Sequence, residues 1–248
     1  MTHWCGNLLY VVIGFLCKIF WFYNTKGLDK LRALKGKSGV VLVGNHQSYF
    51  DVVFAYLTVR RKQWVRFLAK DTLFDEAGGL FGQFIGRVGA FPITRDSADR
   101  TAVKRAARML KNKEVVGIFP EGTRRGKGDK TPHIHGGAAL IARMGKAPMM
   151  PFTVHKVELI KRKGHLPHIF HQVTVEFGDP IYLSSFDFLP KEERLEACTW
   201  YVMRECYAMN QGIDRDLVDM AALFPEDKDY TQVFKEHPLL DTGAPLGK

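Results

Sequence analysis

Short apolar runs alternate with helix-like segments along most of the 248-residue chain. The run at residues 39–44 is continuous and rich in β-branched side chains, as in a strand that is covered on both faces. Five strands are predicted, at residues 39–44, 65–69, 115–119, 149–154 and 172–177. Four helices are predicted, at residues 51–59, 98–110, 136–144 and about 191–209. This alternation is typical of an α/β fold, and we expect a mostly parallel central sheet flanked by helices.

The amino-terminal segment has a different pattern. Residues 8–23 are apolar or aromatic except at Gly14 and Lys18. As a helix they would be roughly 24 Å long, short of the roughly 30 Å hydrocarbon core of a bilayer. No basic residue precedes the run, which argues against a signal peptide. We expect residues 1–30 to form a membrane-associating helical segment that lies in one leaflet, with residues 1–24 as the contact. The alternative is an amphipathic helix packed on the domain.

Composition places the rest of the chain among globular domains. Hydrophobic residues make up 46% of the sequence and charged residues 25%, which excludes a disordered chain and a polytopic membrane protein. The formal net charge is +10, and residues 1–211 hold 32 basic against 18 acidic side chains. A field of this sign attracts phosphates, whether of lipid headgroups, nucleic acid or a small molecule. We expect an α/β domain at residues 31–224 and a polar tail at residues 225–248 that lies on the surface or frays.

Residues 44–51 bring candidate chemistry directly after the first predicted strand. His46 follows that strand, and Asp51 comes five residues later on the first turn of the next helix. A histidine that acts as general base needs one tautomer and a partner for its positive charge, and a carboxylate at Nδ1 supplies both. The alternative is purely structural. Ser48 and Asp51 also have the spacing of a helix capping box, and the histidine would then only hydrogen-bond the loop.

A second polar block follows another predicted strand. Residues 119–124 read Phe-Pro-Glu-Gly-Thr-Arg, a tight turn in which Glu121 and Arg124 flank a hydroxyl group. The guanidinium group of an arginine can bind a phosphate through two parallel hydrogen bonds. Two further segments complete the set: residues 89–95, which end in an arginine, and residues 147–151, in which two prolines lie near the start of a predicted strand.

In their order along the chain, the four blocks resemble the motifs of the glycerolipid acyltransferase family, of the 1-acyl-glycerol-3-phosphate acyltransferase type. The family patterns are N-H-x-x-x-x-D, G-x-x-F-x-x-R, F-P-E-G-T-R and V-P-x-x-P. Residues 45–51, 89–95, 119–124 and 148–151 correspond to them, with Phe91 one position early in the second. The resemblance extends over roughly residues 25–180 and implies a glycerol-3-phosphate acyltransferase-like fold.

The resemblance also implies a reaction. His46 would take the proton of the sn-2 hydroxyl of lysophosphatidic acid while Asp51 orients the ring. The hydroxyl oxygen would attack an acyl thioester, either acyl-CoA or an acyl carrier protein, and phosphatidic acid would form without a further cofactor. The implied substrate-binding residues are Lys70, Arg95, Glu121, Gly122, Thr123 and Arg124. Rival hypotheses are the same chemistry on glycerol 3-phosphate or another lysophospholipid, and a non-catalytic lipid-binding protein of this fold.

Each implied substrate-binding residue has an expected role. Arg95 and Arg124 hold the phosphate, with Lys70 as a third group. Glu121 positions a substrate hydroxyl or braces Arg124. The amides of the turn around Gly122 are one candidate for the oxyanion hole.

Other partner classes are disfavoured. His165, His168 and His171 are spaced like metal ligands, but Pro167 interrupts a helix there and no acidic or thiol partner completes a site, so no metal is expected. Nucleic acid is not expected either, because no base-stacking motif accompanies the basic charge. Four cysteines without a C-x-x-C pair favour a reducing compartment, and the expected location is the cytoplasmic face of a membrane.

Overall fold

One β-sheet forms the centre of the protein. The computed structural model describes residues 3–60, 63–75, 79–87, 89–94, 99–122, 131–160 and 168–239. The strands within these ranges are β1 (Asn24–Lys26), β2 (Val40–Gly44), β3 (Val65–Lys70), β4 (Phe91–Ile93), β5 (Val115–Ile118), β6 (Met149–His155) and β7 (Thr174–Phe177). They form a seven-stranded sheet in the order β1-β7-β6-β2-β5-β3-β4.

Helices cover both faces of the sheet. In the described ranges they are α1 (His3–Trp21), α2 (Leu28–Leu34), α3 (Tyr49–Arg60), α4 (Leu80–Arg87), α5 (Arg100–Lys111), α6 (Gly137–Gly145), α7 (Arg194–Gln211), α8 (Met220–Leu223) and α9 (Thr231–Glu236). The five strands and four helices predicted from the apolar pattern are all present, with ends within three residues of the prediction.

The direction of the strands corrects the prediction of a mostly parallel sheet, because the sheet is mixed. β6 pairs with β7 in antiparallel orientation, and β1 pairs with β7 in parallel, so β1 and β7 at one end of the sheet run against the other five strands. A parallel pair requires a crossover connection, which is usually a helix. The described parts of the connection between β6 and β7 hold one 3₁₀ turn, Val157–Leu159, and no crossover helix.

Strand β2 lies between two helical layers. All five of its residues are buried. Val41 and Val43 belong to the core that α5, α6, α7 and α9 cover. Val40 and Leu42 belong to the core on the opposite face, which α1, α2 and α3 cover. A strand that is apolar at every position is thereby buried on both sides, and its carboxyl end opens between the layers.

The segment after α8 corrects the expectation of a surface tail. Tyr230 and Phe234 are buried and pack against aromatic residues of α7. The ring centroid of Phe234 lies 5.7 Å from that of Trp200 and 4.9 Å from that of Tyr201. The expectation was wrong for this part of the segment because Tyr230, just before α9, and Phe234 within it are buried in the core although most neighbouring residues are polar. The limits of the three predicted units stay a prediction.

Helix α1 packs on the domain with one side only. Cys17 is 2% exposed, and Ile13 and Trp21 pack against the core beside α3, so the inner side matches the alternative of a packed helix. The opposite side is exposed and apolar. We call it the outer face of α1; it consists of Leu8, Val11, Val12, Phe15, Leu16 and Ile19. Within the described residues, no helix combines the length and the hydropathy that a bilayer crossing requires.

Candidate active site

The site begins where β2 ends. Gly44 has no room for a side chain, because a Cβ there would lie 2.6 Å from the ring of Phe152. Residues 45–48 then form a short loop before α3, and we call them the catalytic loop. His46 in this loop donates from Nδ1 to Asp51 Oδ2 at 3.0 Å. The structure therefore brings the two predicted residues into contact across the start of α3.

The carboxylate of Asp51 organises the whole loop. Asp51 is 1% exposed, and its Oδ2 also accepts hydrogen bonds from the backbone N–H of Gln47 at 2.8 Å and of Ser48 at 2.7 Å. The bond to Ser48 is that of a capping box, and because Oδ2 makes it together with the contact to His46, the geometry is compatible with both the structural and the catalytic interpretation. Because a carboxylate only accepts, Nδ1 of His46 carries the proton, which leaves the lone pair on Nε2.

The ring of His46 lies on an aromatic surface. It stacks on Phe119 with centroids 4.3 Å apart and an angle of 22° between the planes. Phe119 in turn stacks on Phe67 and meets Phe152 edge-on. The side chain of His46 keeps 12% of its surface exposed, whereas that of Asp51 keeps 2%. This arrangement fixes the plane of the imidazole and leaves part of it open to a substrate.

Glu121 holds the catalytic loop from the other side. Its Oε1 accepts a hydrogen bond from the hydroxyl of Tyr207 at 2.7 Å and a longer one from the backbone N–H of His46 at 3.4 Å. Glu121 is 5% exposed, so its contacts are made inside the protein. These contacts do not test whether Glu121 positions a substrate hydroxyl or braces Arg124, and both roles stay predictions.

The turn after Glu121 depends on glycine. Gly122 has φ of +68°, a conformation that side-chain-bearing residues rarely adopt. Its N–H donates to the carbonyl of Phe119 at 3.0 Å. That amide is therefore already engaged, and the candidate oxyanion hole at this turn loses one of its donors.

Helix α7 supports the loop, and the sequence did not predict this. Tyr207 binds Glu121 as described, and Asn210 accepts a hydrogen bond from the side chain of Gln47 at 3.1 Å. Asn210 also donates to Thr153 on β6 at 3.0 Å. The only signal in the sequence is that polar groups occur near the end of a helix with many apolar and aromatic residues.

Of the remaining predicted site residues, the structure describes Lys70 but not the other three. Lys70 ends β3 and is exposed; β3 lies two positions from β2 in the sheet, with β5 between them, and these three strands are parallel. The carboxyl ends of β2 and β3 therefore lie on the same side of the sheet. Arg95, Thr123 and Arg124 lie outside the described residues, and their roles stay predictions.

Histidines and cysteines outside the pair of His46 and Asp51 also have polar contacts in the described part of the chain. His168 and His171 contact each other through their Nδ1 atoms at 3.1 Å, and the described residues contain no cluster of three metal-ligating side chains. Burial raises the pKa of the Cys206 thiol, which donates to the carbonyl of Val43 beside the loop. Burial likewise raises the pKa of Cys17 to about 11. A protonated thiol is a poor nucleophile.

Comparison with known proteins gives the family of the chain. A family model described as Acyltransferase matches residues 23–155, which is more than half of the chain. The chain belongs to the acyltransferase family. Within that family it is 32% identical over 219 residues to the 1-acyl-sn-glycerol-3-phosphate acyltransferase of Bacillus subtilis, covering 87% of this chain and 100% of that protein. It is 34% identical over 145 residues to the protein of the same name from Streptococcus pneumoniae, covering 58% and 50%.

A solved acyltransferase structure has a similar fold. The crystal structure of the 1-acyl-sn-glycerophosphate (LPA) acyltransferase PlsC from Thermotoga maritima aligns with a TM-score of 0.52 and 21% sequence identity. The alignment covers 75% of this chain and 72% of that one. This similarity supports an α/β fold with a single sheet flanked by helices.

Proposed function

We propose that this member of the acyltransferase family is a 1-acylglycerol-3-phosphate O-acyltransferase. It would transfer an acyl chain from a thioester to the sn-2 hydroxyl of lysophosphatidic acid, which yields phosphatidic acid. The observation that carries the proposal is the contact between His46 Nδ1 and Asp51 Oδ2 at the carboxyl end of β2. The full-length similarity to the Bacillus subtilis protein supports lysophosphatidic acid as the acceptor.

The chemistry follows from the free lone pair on Nε2 of His46. Nε2 removes the proton of the sn-2 hydroxyl as the hydroxyl oxygen attacks the carbonyl carbon of the thioester. The tetrahedral intermediate collapses, the C–S bond breaks, and the imidazolium returns its proton to the departing thiolate. Asp51, held by its two backbone donors, stabilises the imidazolium in between. No acyl-enzyme forms in this scheme.

The negative charge of the substrate requires cationic partners. We assign the phosphate to Arg95 and Arg124, with Lys70 as the third group, because bidentate arginine contacts bind phosphate strongly. Since the N–H of Gly122 is engaged with Phe119, we assign the oxyanion to other amides of this turn, of which that of Thr123 is the next in the chain.

The outer face of α1 supports membrane association. Val11 and Phe15 are 61% and 65% exposed, and the outer face as a whole is a continuous apolar stripe. Large apolar stripes of this kind mark contacts with a membrane or a partner. We place the outer face in the acyl layer of the cytoplasmic leaflet, with residues 1–24 as the contact. The inner side of α1 packs against α3, which carries Asp51, so the catalytic loop stays near the lipid.

The proposal is tested by assaying the purified protein with lysophosphatidate, glycerol 3-phosphate and lysophosphatidylcholine. Each acceptor is combined with acyl-CoA and, separately, with an acyl carrier protein thioester. The expected result is phosphatidate formation from lysophosphatidate, absent in a His46→Ala variant that retains wild-type stability. Turnover of only another acceptor would replace the proposed substrate. Absence of turnover with every pair would favour the non-catalytic alternative.

A further inference from the structure

A second apolar projection lies beside the end of α1. It consists of Phe22, Ile169 and Phe170, which are 50%, 38% and 63% exposed, and we call it the apolar tip. The ring centroid of Phe170 lies 6.4 Å from that of Phe22 and 6.1 Å from that of Phe20. Residues almost 150 positions apart in the sequence therefore form one exposed apolar surface.

Backbone hydrogen bonds attach the apolar tip firmly to α1. The N–H of Phe170 donates to the carbonyl of Phe20 at 2.6 Å, and the N–H of Val173 donates to that of Trp21 at 3.0 Å. The indole N–H of Trp21 donates to the carbonyl of His168 at 3.0 Å. The position of the tip relative to the outer face of α1 is thereby fixed.

The backbone at the apolar tip is strained. Phe22 has φ of +39° and Phe170 has φ of +61°, values that bulky residues rarely adopt. Such strain persists only where the surroundings over-determine it, and it concentrates at functional sites. Here it turns two phenylalanine side chains into solvent, where they contribute little to the stability of the fold.

The surroundings of the apolar tip carry basic groups. Lys18 is exposed and reaches the carbonyl of Tyr23, one residue after Phe22. Lys156 is exposed, and its carbonyl accepts a hydrogen bond from His171 Nε2 in the loop of the tip. Glu158 is an exposed acidic residue close by in the chain. An apolar projection with lysines at its base is the arrangement that binds a surface of anionic lipid.

We propose that the apolar tip is a second lipid contact that inserts into an anionic bilayer next to α1. The inference rests on the proposed membrane association, and it adds a contact outside the segment that the family model matches. One helix in the plane of a membrane is free to roll about its axis. A second contact, fixed to its end by three hydrogen bonds, removes that freedom and holds the catalytic loop in one orientation.

The test compares Phe170→Asn with Phe188→Asn in the full chain. Asparagine tolerates positive φ, so Phe170→Asn keeps or raises the melting temperature while it removes the apolar side chain. Phe188 is 42% exposed, has ring contacts with Phe234 and His237, and serves as the matched control. Partition is measured by co-sedimentation with vesicles of phosphatidylglycerol and phosphatidylcholine. We expect Phe170→Asn to bind about tenfold more weakly, as for the loss of one buried aromatic group, and Phe188→Asn to bind like wild type.

Two further measurements separate the outcomes. Phe170→Trp should bind like wild type and should show additional fluorescence quenching by lipids brominated in the acyl chain. Equal partition of wild type and Phe170→Asn, or no added quenching in Phe170→Trp, would overturn the inference. Acyl transfer to a short-chain, monomeric lysophosphatidate is assayed in parallel. If wild type lacks this activity but binds vesicles in a manner that depends on Phe170, the proposed reaction fails and the second lipid contact stands.

Discussion

The catalytic loop and the outer face of α1 depart from the usual distribution of side chains in opposite directions. Around the loop, charged groups are buried: Asp51 is 1% exposed and Glu121 is 5% exposed. On α1, large apolar side chains are exposed, with Phe15 at 65%. A buried charge is tolerated when it has hydrogen-bond partners. Exposure of an apolar stripe to water, in contrast, costs free energy and marks a surface that is covered by something else.

The two departures are compensated differently. Asp51 accepts three hydrogen bonds from within its own loop, so the protein alone supplies its partners. The outer face of α1 has no such cover among the described residues, and in our proposal the lipid supplies it. If the proposal is right, chemistry and membrane attachment are therefore separable by mutation. The predictions below test that separation, from the largest effect to the smallest.

Loss of the proposed base, His46, is expected to give the largest effect on the chemical side. His46→Ala is expected to lower kcat by about a thousandfold, because general base catalysis contributes roughly 10²–10⁴ in rate. Vesicle binding should be unchanged, since the outer face of α1 is intact. The measurement is steady-state phosphatidate formation together with co-sedimentation. His237→Ala, at an exposed histidine near α9, is the control and should behave like wild type. A His46→Ala enzyme within tenfold of wild type would disconnect the pair from the reaction.

Asp51→Asn tests the orientation of the ring. The amide offers one oxygen and a competing N–H₂ group, so it cannot reproduce all three hydrogen bonds. We expect kcat to fall about 10²–10⁴-fold and the free energy of unfolding to fall by about 2 kcal/mol. Asp29→Asn, on the first turn of α2, is the control for loss of one exposed charge. Full activity in Asp51→Asn, measured by initial rates, would show that the carboxylate is structural only.

The double variant Val11→Ser with Phe15→Ser tests the membrane side. It should lower vesicle partition by about a hundredfold, because two largely exposed apolar groups are lost from the contact. Activity on a short-chain, monomeric acceptor should stay at the wild-type level. Ile213→Ser with Leu217→Ser removes two apolar residues exposed elsewhere and should change neither quantity. Unchanged partition of the α1 variant in co-sedimentation would contradict the proposed contact.

Tyr207→Phe tests the support from α7. Two described hydrogen bonds end on Glu121 Oε1. The bond from the Tyr207 hydroxyl is the shorter one, at 2.7 Å against 3.4 Å for the bond from the N–H of His46. Its removal should lower kcat by about tenfold with little change in KM, and should cost about 1 kcal/mol of stability. Tyr230→Phe is the control: its hydroxyl is buried and has no hydrogen-bond partner among the described residues. If both variants have wild-type kcat, the bond to Glu121 does not position the loop.

Asp99→Ala is expected to have the smallest effect. Asp99 caps α5 by accepting from the N–H of Ala102 at 2.8 Å, and such a cap contributes about 1 kcal/mol. Hydrogen bonds from the N–H groups of Ala102 and Thr94 lower the pKa of Asp99 below its usual 3.8. Because this pKa is lowered, the carboxylate of Asp99 stabilises the folded protein at pH values above 3.8. That stabilisation is lost as the pH falls through the lower pKa that Asp99 has in the folded protein. Thermal unfolding should therefore show a difference from wild type at neutral pH that disappears in acid, with no change in activity.

The sequence predicted the elements that carry a strong local signal. The apolar run of β2 and the spacing of His46 and Asp51 led to the correct placement of that pair, because both depend on neighbours in the chain. Strand β1 was missed since its three residues are polar and exposed, with no apolar alternation. Its pairing with β7 joins segments about 150 residues apart, which a local pattern does not record.

The same limit applies to the site. Tyr207 lies 86 residues from Glu121 in the chain, and its hydrogen bond depends on how α7 packs across the sheet. The motif around Glu121 predicted a group that faces the substrate or an arginine. That prediction remains open, but the additional contact of this carboxylate with the backbone N–H of His46 was not predicted, because it depends on the burial of the turn beside the catalytic loop.

The most direct test of the central claim is the release of free thiol from an acyl thioester, followed with and without lysophosphatidate. If His46 activates the acceptor hydroxyl, the wild-type enzyme releases thiol only when lysophosphatidate is present, and His46→Ala releases almost none. A burst of thiol that equals the enzyme concentration in the absence of acceptor, or rapid release by His46→Ala, would contradict direct transfer through this histidine.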